Sequence, residues 1–86
     1  MNPEIKKVEL HTKEGCPFCV LAKEWLTNHG VEFEVISHDD VMERQAWYEK
    51  EHITERSVPQ IFVTVEGGRI RIGGYDVLKS DGWMYF

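Results

Sequence analysis

The sequence predicts an α/β fold in which a four-stranded mixed sheet is flanked by helices, in the order β-α-β-α-β-β-α with a short last helix. Two β-prone segments are each followed by a segment with the apolar period of a helix, and a later pair of β-prone segments is joined by a glycine turn. Each β-α unit favours a parallel neighbour, whereas a hairpin pairs its strands antiparallel. A chain of 86 residues suits one domain, which we place over residues 1–86.

The first strand and the first helix have the clearest signals. Residues 8–11 form an apolar strand segment that can start as early as Ile5. Pro17 suits the first position of a helix, where no backbone N–H is needed, and Gly30 suits the position just past its end. We expect the apolar stripe of this helix to face the core, since its members recur at the i, i+3, i+4 and i+7 spacing: Phe18, Leu21, Ala22, Trp25, Leu26 and His29.

The second β-α unit has a weaker helix signal. Residues 31–35 alternate apolar and acidic side chains, which predicts a strand with one buried face. A helix follows to about Glu51; Asp39 or Asp40 can cap it, and Glu43 stands at the capping-box distance from Asp40. The side chains expected to form its apolar stripe are Val41, Met42, Gln45 and Ala46, with Trp47 and Tyr48 packing on the same helix.

The C-terminal part reads as a hairpin followed by a short helix. Residues 61–65 are strongly β-prone, residues 66–68 turn the chain, and residues 69–72 alternate again. Residues 73–74 are glycines that end the strand, and residues 75–79 form a short helix at most. The last seven residues carry three aromatic side chains, which are expected to cover the core or a sheet edge; a partner-binding tail is the alternative. These are Trp83, Tyr85 and Phe86.

Charge and hydropathy argue against two broad classes of protein. The net charge is −5 and the longest basic run is the pair Lys6-Lys7, so the chain lacks the basic face of a general nucleic-acid binder. No apolar run approaches the roughly 20 residues of a membrane span. The first seven residues are polar and lack the apolar region of a signal peptide. We therefore expect a cytoplasmic protein that binds neither nucleic acid nor membrane.

The only two cysteines, Cys16 and Cys19, form a Cys-x-x-Cys motif where the first strand gives way to the first helix. Such a motif is typical of a redox site. A disulfide that merely staples the fold is the alternative, but so short a loop constrains the unfolded chain little. A zinc site is disfavoured because His29, His38 and His52 do not have the spacing of metal-binding histidines.

The two sulfurs are expected to play different roles. Cys16 precedes the helix, where free N–H groups and the positive end of the helix dipole favour a thiolate, and Lys13 adds a cation. Together they should lower the pKa of Cys16 into the range of about 3.5 to 7.5 known for such sites. Cys16 would attack a disulfide, and Cys19 would then attack Cys16 Sγ, which releases the reduced substrate and leaves a Cys16–Cys19 disulfide.

Two residues near this motif have open interpretations. His11 is expected to be a polar residue at the end of the first strand; tuning of Cys16 or proton transfer is the alternative. Phe18 belongs to the apolar stripe, which favours core packing, but it also lies in the first helical turn beside the reactive sulfur. A half-exposed contact with the substrate is therefore an equal alternative for Phe18.

Two further motifs make the sequence similar to a known family. Val58-Pro59 follows Arg56-Ser57, and Gly73-Gly74 precedes Tyr75-Asp76. Together with Lys13 ahead of Cys16-Pro17-Phe18-Cys19, these motifs resemble the dithiol glutaredoxins over about residues 8–79. The resemblance implies a thioredoxin-like fold and a cis peptide bond before Pro59.

The resemblance also implies a glutathione site. In the family, the backbone of the residue before the cis proline, here Val58, pairs with the cysteinyl backbone of glutathione. Lys13 and Arg56 would meet a glutathione carboxylate, and Asp76 would meet its ammonium group. The full set of implied contacts is Lys13, Phe18, Arg56, Val58, Pro59, Gly74, Tyr75 and Asp76.

The sequence departs from the family pattern at five points, one of which is the short final helix. Val77 stands where many relatives have a second acidic residue, and Ser57 stands where threonine is usual. The position of His11 is more often a tyrosine, and the aromatic tail has no counterpart in the family pattern.

We therefore expect a monomeric thiol-disulfide oxidoreductase that reduces protein disulfides or glutathione mixed disulfides, is recycled by glutathione and holds no metal. By family analogy, a partner would be an enzyme that forms a disulfide in each turnover, such as ribonucleotide reductase. Two alternatives stay open. One is a glutaredoxin-like redoxin recycled by thioredoxin reductase. The other is a module that holds an iron–sulfur cluster between two chains through Cys16 and glutathione, against which the stiffening residue Pro17 argues.

Overall fold

The computed structural model describes residues 4–86, so residues 1–3 of the predicted domain and of the polar N-terminal segment lie outside the described residues. The helices and strands follow the predicted order, and a 3-10 turn closes the chain. They are β1 (Ile5–Thr12), α1 (Pro17–Asn28), β2 (Glu34–Ser37), α2 (Val41–Lys50), β3 (Gln60–Val65), β4 (Gly68–Gly73), α3 (Tyr75–Asp81) and the 3-10 turn (Gly82–Met84).

The predicted mixed sheet of four strands is confirmed, with the strand order β2-β1-β3-β4. β1 pairs in parallel with β2 and antiparallel with β3, and β3 pairs antiparallel with β4. The expectation of a parallel neighbour from the second β-α unit is wrong, because β3 lies beside β1 and runs opposite to it. Burial explains this placement: β3 carries Ile61, Phe62 and Val63, which are all buried, and takes a central position. The short β2 is largely exposed and forms an edge.

Alternation along the strands separates two layers of helices. On β3, Ile61 and Val63 join the main core, whereas Phe62 packs with Tyr48 of α2 on the opposite face. α1 and α3 therefore cover one face of the sheet, and α2 covers the other. The main core consists of Val8, Leu10, Ala22, Leu26, Ile61, Val63, Ile72 and Leu78.

α1 begins at Pro17 and ends before Gly30, as predicted. Its buried stripe is rotated from the predicted one, since Cys19, Ala22 and Leu26 are its buried residues. Phe18 and Leu21 are exposed, because the helix contacts the sheet along the line of residues 19, 22 and 26. Of the remaining predicted stripe, Trp25 packs partly buried against the core, and the exposed His29 stacks on it with ring centroids 3.7 Å apart.

The second β-α unit differs most from its prediction. β2 begins at Glu34 rather than at residue 31, since pairing with β1 in this part of the chain starts there. Asp40 caps α2, because its Oδ1 accepts hydrogen bonds from the backbone N–H groups of Met42 at 2.8 Å and Glu43 at 3.3 Å. The expected stripe is wrong: Val41, Met42 and Ala46 are exposed, and Tyr48 is the buried side chain of the helix.

The aromatic tail divides between the core and the surface. α3 extends to Asp81, two residues beyond its predicted end. Tyr85 and Phe86 pack partly buried against the main core, whereas the side chain of Trp83 is 71% exposed. Two of the three aromatic residues of the tail therefore cover the core.

Candidate functional site

Cys16 and Cys19 lie where β1 passes into α1, and their sulfurs are joined in a disulfide. Cys16 is the N-cap residue of α1, with φ −104° and ψ 103°, and Pro17 occupies the first helical position. The backbone N–H of Cys19 donates a hydrogen bond to Cys16 Sγ at 3.2 Å. Both residues are nearly buried, Cys16 slightly less so than Cys19.

Cys16 has the position directly before a helix that the sequence predicts. A helix starts with backbone N–H groups that have no partner within the helix, and these groups favour negative charge beside them. Here one such group already points at Cys16 Sγ, whereas Cys19 lies within the first turn and deeper in the protein. Once the disulfide is reduced, this geometry favours negative charge on the sulfur of Cys16 over that of Cys19.

The segment before β3 forms the other wall of the site. The Val58–Pro59 peptide bond is cis, and the carbonyl oxygen of Val58 lies 3.7 Å from Cys16 Sγ. The preceding carbonyl, that of Ser57, accepts hydrogen bonds from the hydroxyl of Tyr48 at 2.8 Å and from the side-chain amide of Gln60 at 3.0 Å. The buried side chains of Tyr48 and Gln60 thereby hold the backbone that faces the sulfur.

A groove of about 200 Å³ lies between α1, the segment before β3 and the start of α3. Phe18 borders it with a side chain that is 59% exposed, stacked on Tyr75 with ring centroids 6.2 Å apart. The exposure of Phe18 shows that its ring is not part of the core. The residues that line the groove are Phe18, Glu55, Ser57, Val58, Pro59, Gly74, Tyr75 and Asp76.

Six of the eight predicted contact residues line this groove, and the two predicted cations do not. Arg56 turns towards α2, where its guanidinium donates to the Gln45 side chain at 2.8 Å and lies 3.9 Å from Glu49 Oε1. Lys13 is exposed in the loop before Cys16. Prediction from the sequence missed Glu55 and Ser57 as lining residues, although their position just before Val58-Pro59 could have indicated them.

The start of α3 forms the end of the groove opposite Val58. Gly74 is the N-cap residue of α3, and a Cβ at this position would lie 3.2 Å from Asp76 Oδ1 and 3.5 Å from the Pro59 carbonyl oxygen. A side chain at Gly74 would therefore crowd Asp76. Val77 is partly buried against the core and is not among the residues that line the groove.

His11 differs from its prediction as a polar strand-end residue. Its side chain is buried on the α2 face of β1, 2.8 Å from the buried ring of His38. The pairing of His11 with His38 could not be predicted from local pattern, since they are 27 residues apart in sequence.

Residues 4–86 contain neither a candidate metal-binding cluster nor a candidate membrane-spanning helix. No cluster of three or more His, Cys, Asp or Glu side chains there has a geometry that could hold a metal ion. No helix of that part of the chain has the length and apolar character of a membrane span.

The chain matches a family model, curated relatives and solved structures. The family model, described as glutaredoxin, matches residues 8–67. The chain is 38% identical over 74 residues to glutaredoxin 3 of Escherichia coli, a match that covers 85% of this chain and 82% of that protein. It is 44% identical over 73 residues to a Synechocystis protein described as a probable glutaredoxin, with coverage of 84% of this chain and 62% of the relative.

Solved structures agree with the sequence comparison. Glutaredoxin 1 of Francisella tularensis, crystallised with cacodylate, superposes with a TM-score of 0.74 at 32% identity, over 88% of this chain and 91% of that one. Wheat glutaredoxin gives a TM-score of 0.66 at 32% identity, over 90% of this chain and 72% of that one. The predicted thioredoxin-like fold is thereby confirmed.

Proposed function

Because the chain belongs to the glutaredoxin family of thiol-disulfide oxidoreductases, we propose that it reduces glutathione mixed disulfides and protein disulfides with glutathione as its reductant. The observation that carries this proposal is the groove beside Cys16, in which the Val58 backbone, Tyr75 and Asp76 come together. The chain spans 62% of the Synechocystis relative, so the substrates and partners of that relative are not assumed for this chain.

On a glutathione mixed disulfide, the Cys16 thiolate attacks the glutathione sulfur. The Cys16–glutathione disulfide forms, and the substrate leaves as a thiolate that takes a proton from water. A second glutathione thiolate then attacks the bound glutathione sulfur, which yields glutathione disulfide and restores the Cys16 thiolate. This cycle uses one cysteine of the protein.

On a protein disulfide, the cycle uses both cysteines. Cys16 attacks one substrate sulfur and forms a mixed disulfide, and Cys19 then attacks Cys16 Sγ. The substrate leaves with both of its sulfurs reduced, and the Cys16–Cys19 disulfide remains, as in the structure. Two glutathione molecules reduce it and become glutathione disulfide.

The proposal includes one orientation of glutathione in the groove. Its cysteinyl part would lie along the backbone of Val58, next to Cys16, and its ammonium group would meet the carboxylate of Asp76. Lys13 and Arg56 lie outside the groove lining, so they would reach a glutathione carboxylate only at its rim. Glu55 is a second acid in the groove lining, beside Asp76. Most of the favourable charge interaction would therefore come from the ammonium group of glutathione, not from its carboxylates.

A turnover assay with each reducing system tests the proposal. We expect reduction of a glutathione mixed disulfide with glutathione, NADPH and glutathione reductase. If the protein shows no turnover in this system but is active when thioredoxin reductase supplies the electrons, it is a redoxin recycled by thioredoxin reductase.

Asp76→Asn tests the orientation of glutathione in the same assay. Loss of a hydrogen bond to a charged group costs about 1.5–3 kcal/mol, so KM for glutathione should rise by about tenfold or more. Asp81→Asn, at the far end of α3, is the matched control and should leave KM unchanged. An unchanged KM in Asp76→Asn would show that Asp76 does not bind the ammonium group of glutathione.

We place this activity in the cytoplasm, with a monomeric protein and no metal. A disulfide-forming enzyme such as ribonucleotide reductase is the proposed type of protein partner. A Cys19→Ser variant should trap such a partner as a mixed disulfide on Cys16, which mass spectrometry of captured proteins can identify. A coloured dimer after anaerobic purification would instead support the iron–sulfur alternative.

A further inference from the structure

Four side chains between the sheet and α2 form a continuous line of hydrogen bonds, which we call the histidine relay: Glu9, His11, His38 and Glu43. Glu9 Oε1 lies 3.1 Å from His11 Nε2, and His11 Nδ1 lies 2.8 Å from His38 Nε2. His38 Nδ1 lies 2.9 Å from both carboxylate oxygens of Glu43. All four imidazole nitrogens are therefore engaged, and each end of the relay is a carboxylate.

The surroundings shield the two rings from water. His11 and His38 are 3% and 4% exposed. The indole of Trp47 from α2 stacks on both imidazoles, with centroid distances of 4.3 and 4.4 Å, and Phe62 of β3 meets His11 with its edge. Each ring nitrogen must therefore find its hydrogen-bond partner within the relay, because water has little access to the rings.

The charged groups around the relay come from β1, β4 and α2, and they include Arg44 of α2, whose Nη1 donates to the backbone carbonyl oxygen of His38 at 2.8 Å. Arg69 of β4 holds Glu9 with two hydrogen bonds, from Nε at 2.9 Å and Nη2 at 3.1 Å, and also pairs with Glu51 at the end of α2. Burial acts to raise the pKa of Glu9, but hydrogen bonds from Arg69 and His11 outweigh it and lower this pKa. Glu9 is thus an ionised carboxylate that accepts hydrogen bonds and cannot donate one.

The relay needs more protons than two neutral imidazoles carry. A carboxylate accepts hydrogen bonds only, so the nitrogens that face Glu9 and Glu43 must each carry a proton. The central nitrogen–nitrogen contact requires one proton more. Three protons are then needed on four nitrogens, whereas two neutral imidazoles carry two in all. The side chain of Glu43 is half exposed, so water can hydrate its carboxylate.

We propose that the His11–His38 pair holds one proton more than two neutral imidazoles and that this proton makes His38 a positioning residue for the loop that leads to Cys16. Arg69 already pairs with Glu9, the carboxylate beside His11, so the additional proton is assigned to His38, which faces the carboxylate of Glu43. Burial, which lowers the pKa of His11, acts in the same direction. His38 then donates to both His11 and Glu43, and its cationic ring lies against the face of Trp47, a favourable arrangement.

The main chain links the relay to the redox site. The backbone N–H of His38 donates to the carbonyl oxygen of Thr12 at 2.8 Å, and the next residue, Asp39, accepts from the backbone N–H of Glu14 at 2.7 Å. Residues 13–15 alone separate this anchor from Cys16. Loss of the third proton removes one link of the relay and loosens the segment that holds this loop. This consequence rests on the proposed role of Cys16 as the attacking sulfur.

The proton count can be measured without any activity assay. In reduced protein labelled with ¹⁵N-histidine, nitrogen shifts distinguish protonated from bare ring nitrogens, and contacts with the Trp47 indole identify His11 and His38. We expect three protonated nitrogens in the pair at pH 7. In Glu43→Gln, the amide can donate to a bare His38 Nδ1, so the pair should carry two. Glu66→Gln, an exposed carboxylate in the β3–β4 turn, is the matched control and should keep three. A count of two in the wild type overturns the proposal.

The positioning role has its own readout. Across a titration from about pH 5 to 9, the amide shift of Glu14 should show a step when the third proton leaves the wild type and Glu66→Gln. The alkylation rate of Cys16 by iodoacetamide should show the same step in addition to the one that ionisation of Cys16 itself produces. Glu43→Gln should lack this step. If the wild type shows no such step, His38 is not a positioning residue. Because the proton count needs no glutathione, a failed turnover assay would contradict the proposed function and leave the count unaffected.

Discussion

Tyr48→Phe tests how the scaffold holds the wall of the redox site. The Tyr48 ring is 1% exposed and packs with Ile53 and Phe62, which phenylalanine would preserve. The change removes the hydrogen bond from the hydroxyl to the Ser57 carbonyl at 2.8 Å. That carbonyl keeps the amide of Gln60 at 3.0 Å, so it is not left without a donor. The expected loss is therefore one hydrogen bond, about 1 kcal/mol of unfolding free energy.

Urea unfolding of the oxidised proteins measures this loss. About 1 kcal/mol corresponds to a decrease in Tm of about 4–8 °C for a domain of this size. Tyr85→Phe is the matched control, because the Tyr85 hydroxyl makes no hydrogen bond among the residues that the structure describes, and its stability should not change. Equal stability of Tyr48→Phe and the wild type would refute the view that Tyr48 holds the backbone before Val58. A loss above about 3 kcal/mol would show that Gln60 does not compensate.

Three further predictions concern a cap, a close contact and acid stability. Asp40→Ala should lower the unfolding free energy by about 1 kcal/mol in urea, because the first turn of α2 loses its capping oxygen. Gly82→Ala places a Cβ 2.6 Å from the Trp25 ring, so it should cost about 1–3 kcal/mol and alter tryptophan fluorescence; unchanged stability would contradict the close packing. Because the pKa of Glu9 is lowered in the folded protein, Glu9 stabilises the fold above pH 4.5, and this contribution is lost as the pH falls through the folded pKa. The unfolding free energy, measured in urea, should therefore fall less steeply with decreasing pH in Glu9→Gln than in the control Glu66→Gln.

Local signals were sufficient where one segment decides its own conformation. Pro17 and Gly30 marked the two ends of α1, and the glycine turn between β3 and β4 marked the hairpin. The position of β3 was not predictable in this way, because strand order depends on which strand the core buries on both faces. The buried face of α1 was predicted incorrectly for the same reason. The period of a helix shows that an apolar stripe exists, but packing against the sheet decides which residues between Phe18 and Leu26 are buried.

In the site, too, features within one segment were predictable, whereas contacts between distant segments were not. The cysteine motif and its position before a helix were readable from the sequence, and so were the groove residues that lie within two short motifs. The orientation of Arg56 was not, since Gln45 of α2 competes for its guanidinium. The His11–His38 contact was also out of reach, because it depends on the parallel pairing of β1 with β2 that brings His11 opposite Ile36.

The central claim is that Cys16 attacks and Cys19 resolves, and turnover of a glutathione mixed disulfide by single-cysteine variants tests it most directly. Cys16→Ser should abolish turnover, because no thiolate remains at the N-terminus of α1. Cys19→Ser should retain turnover, since the cycle on this substrate needs one thiol. Equal loss of activity in both variants would contradict the assigned roles.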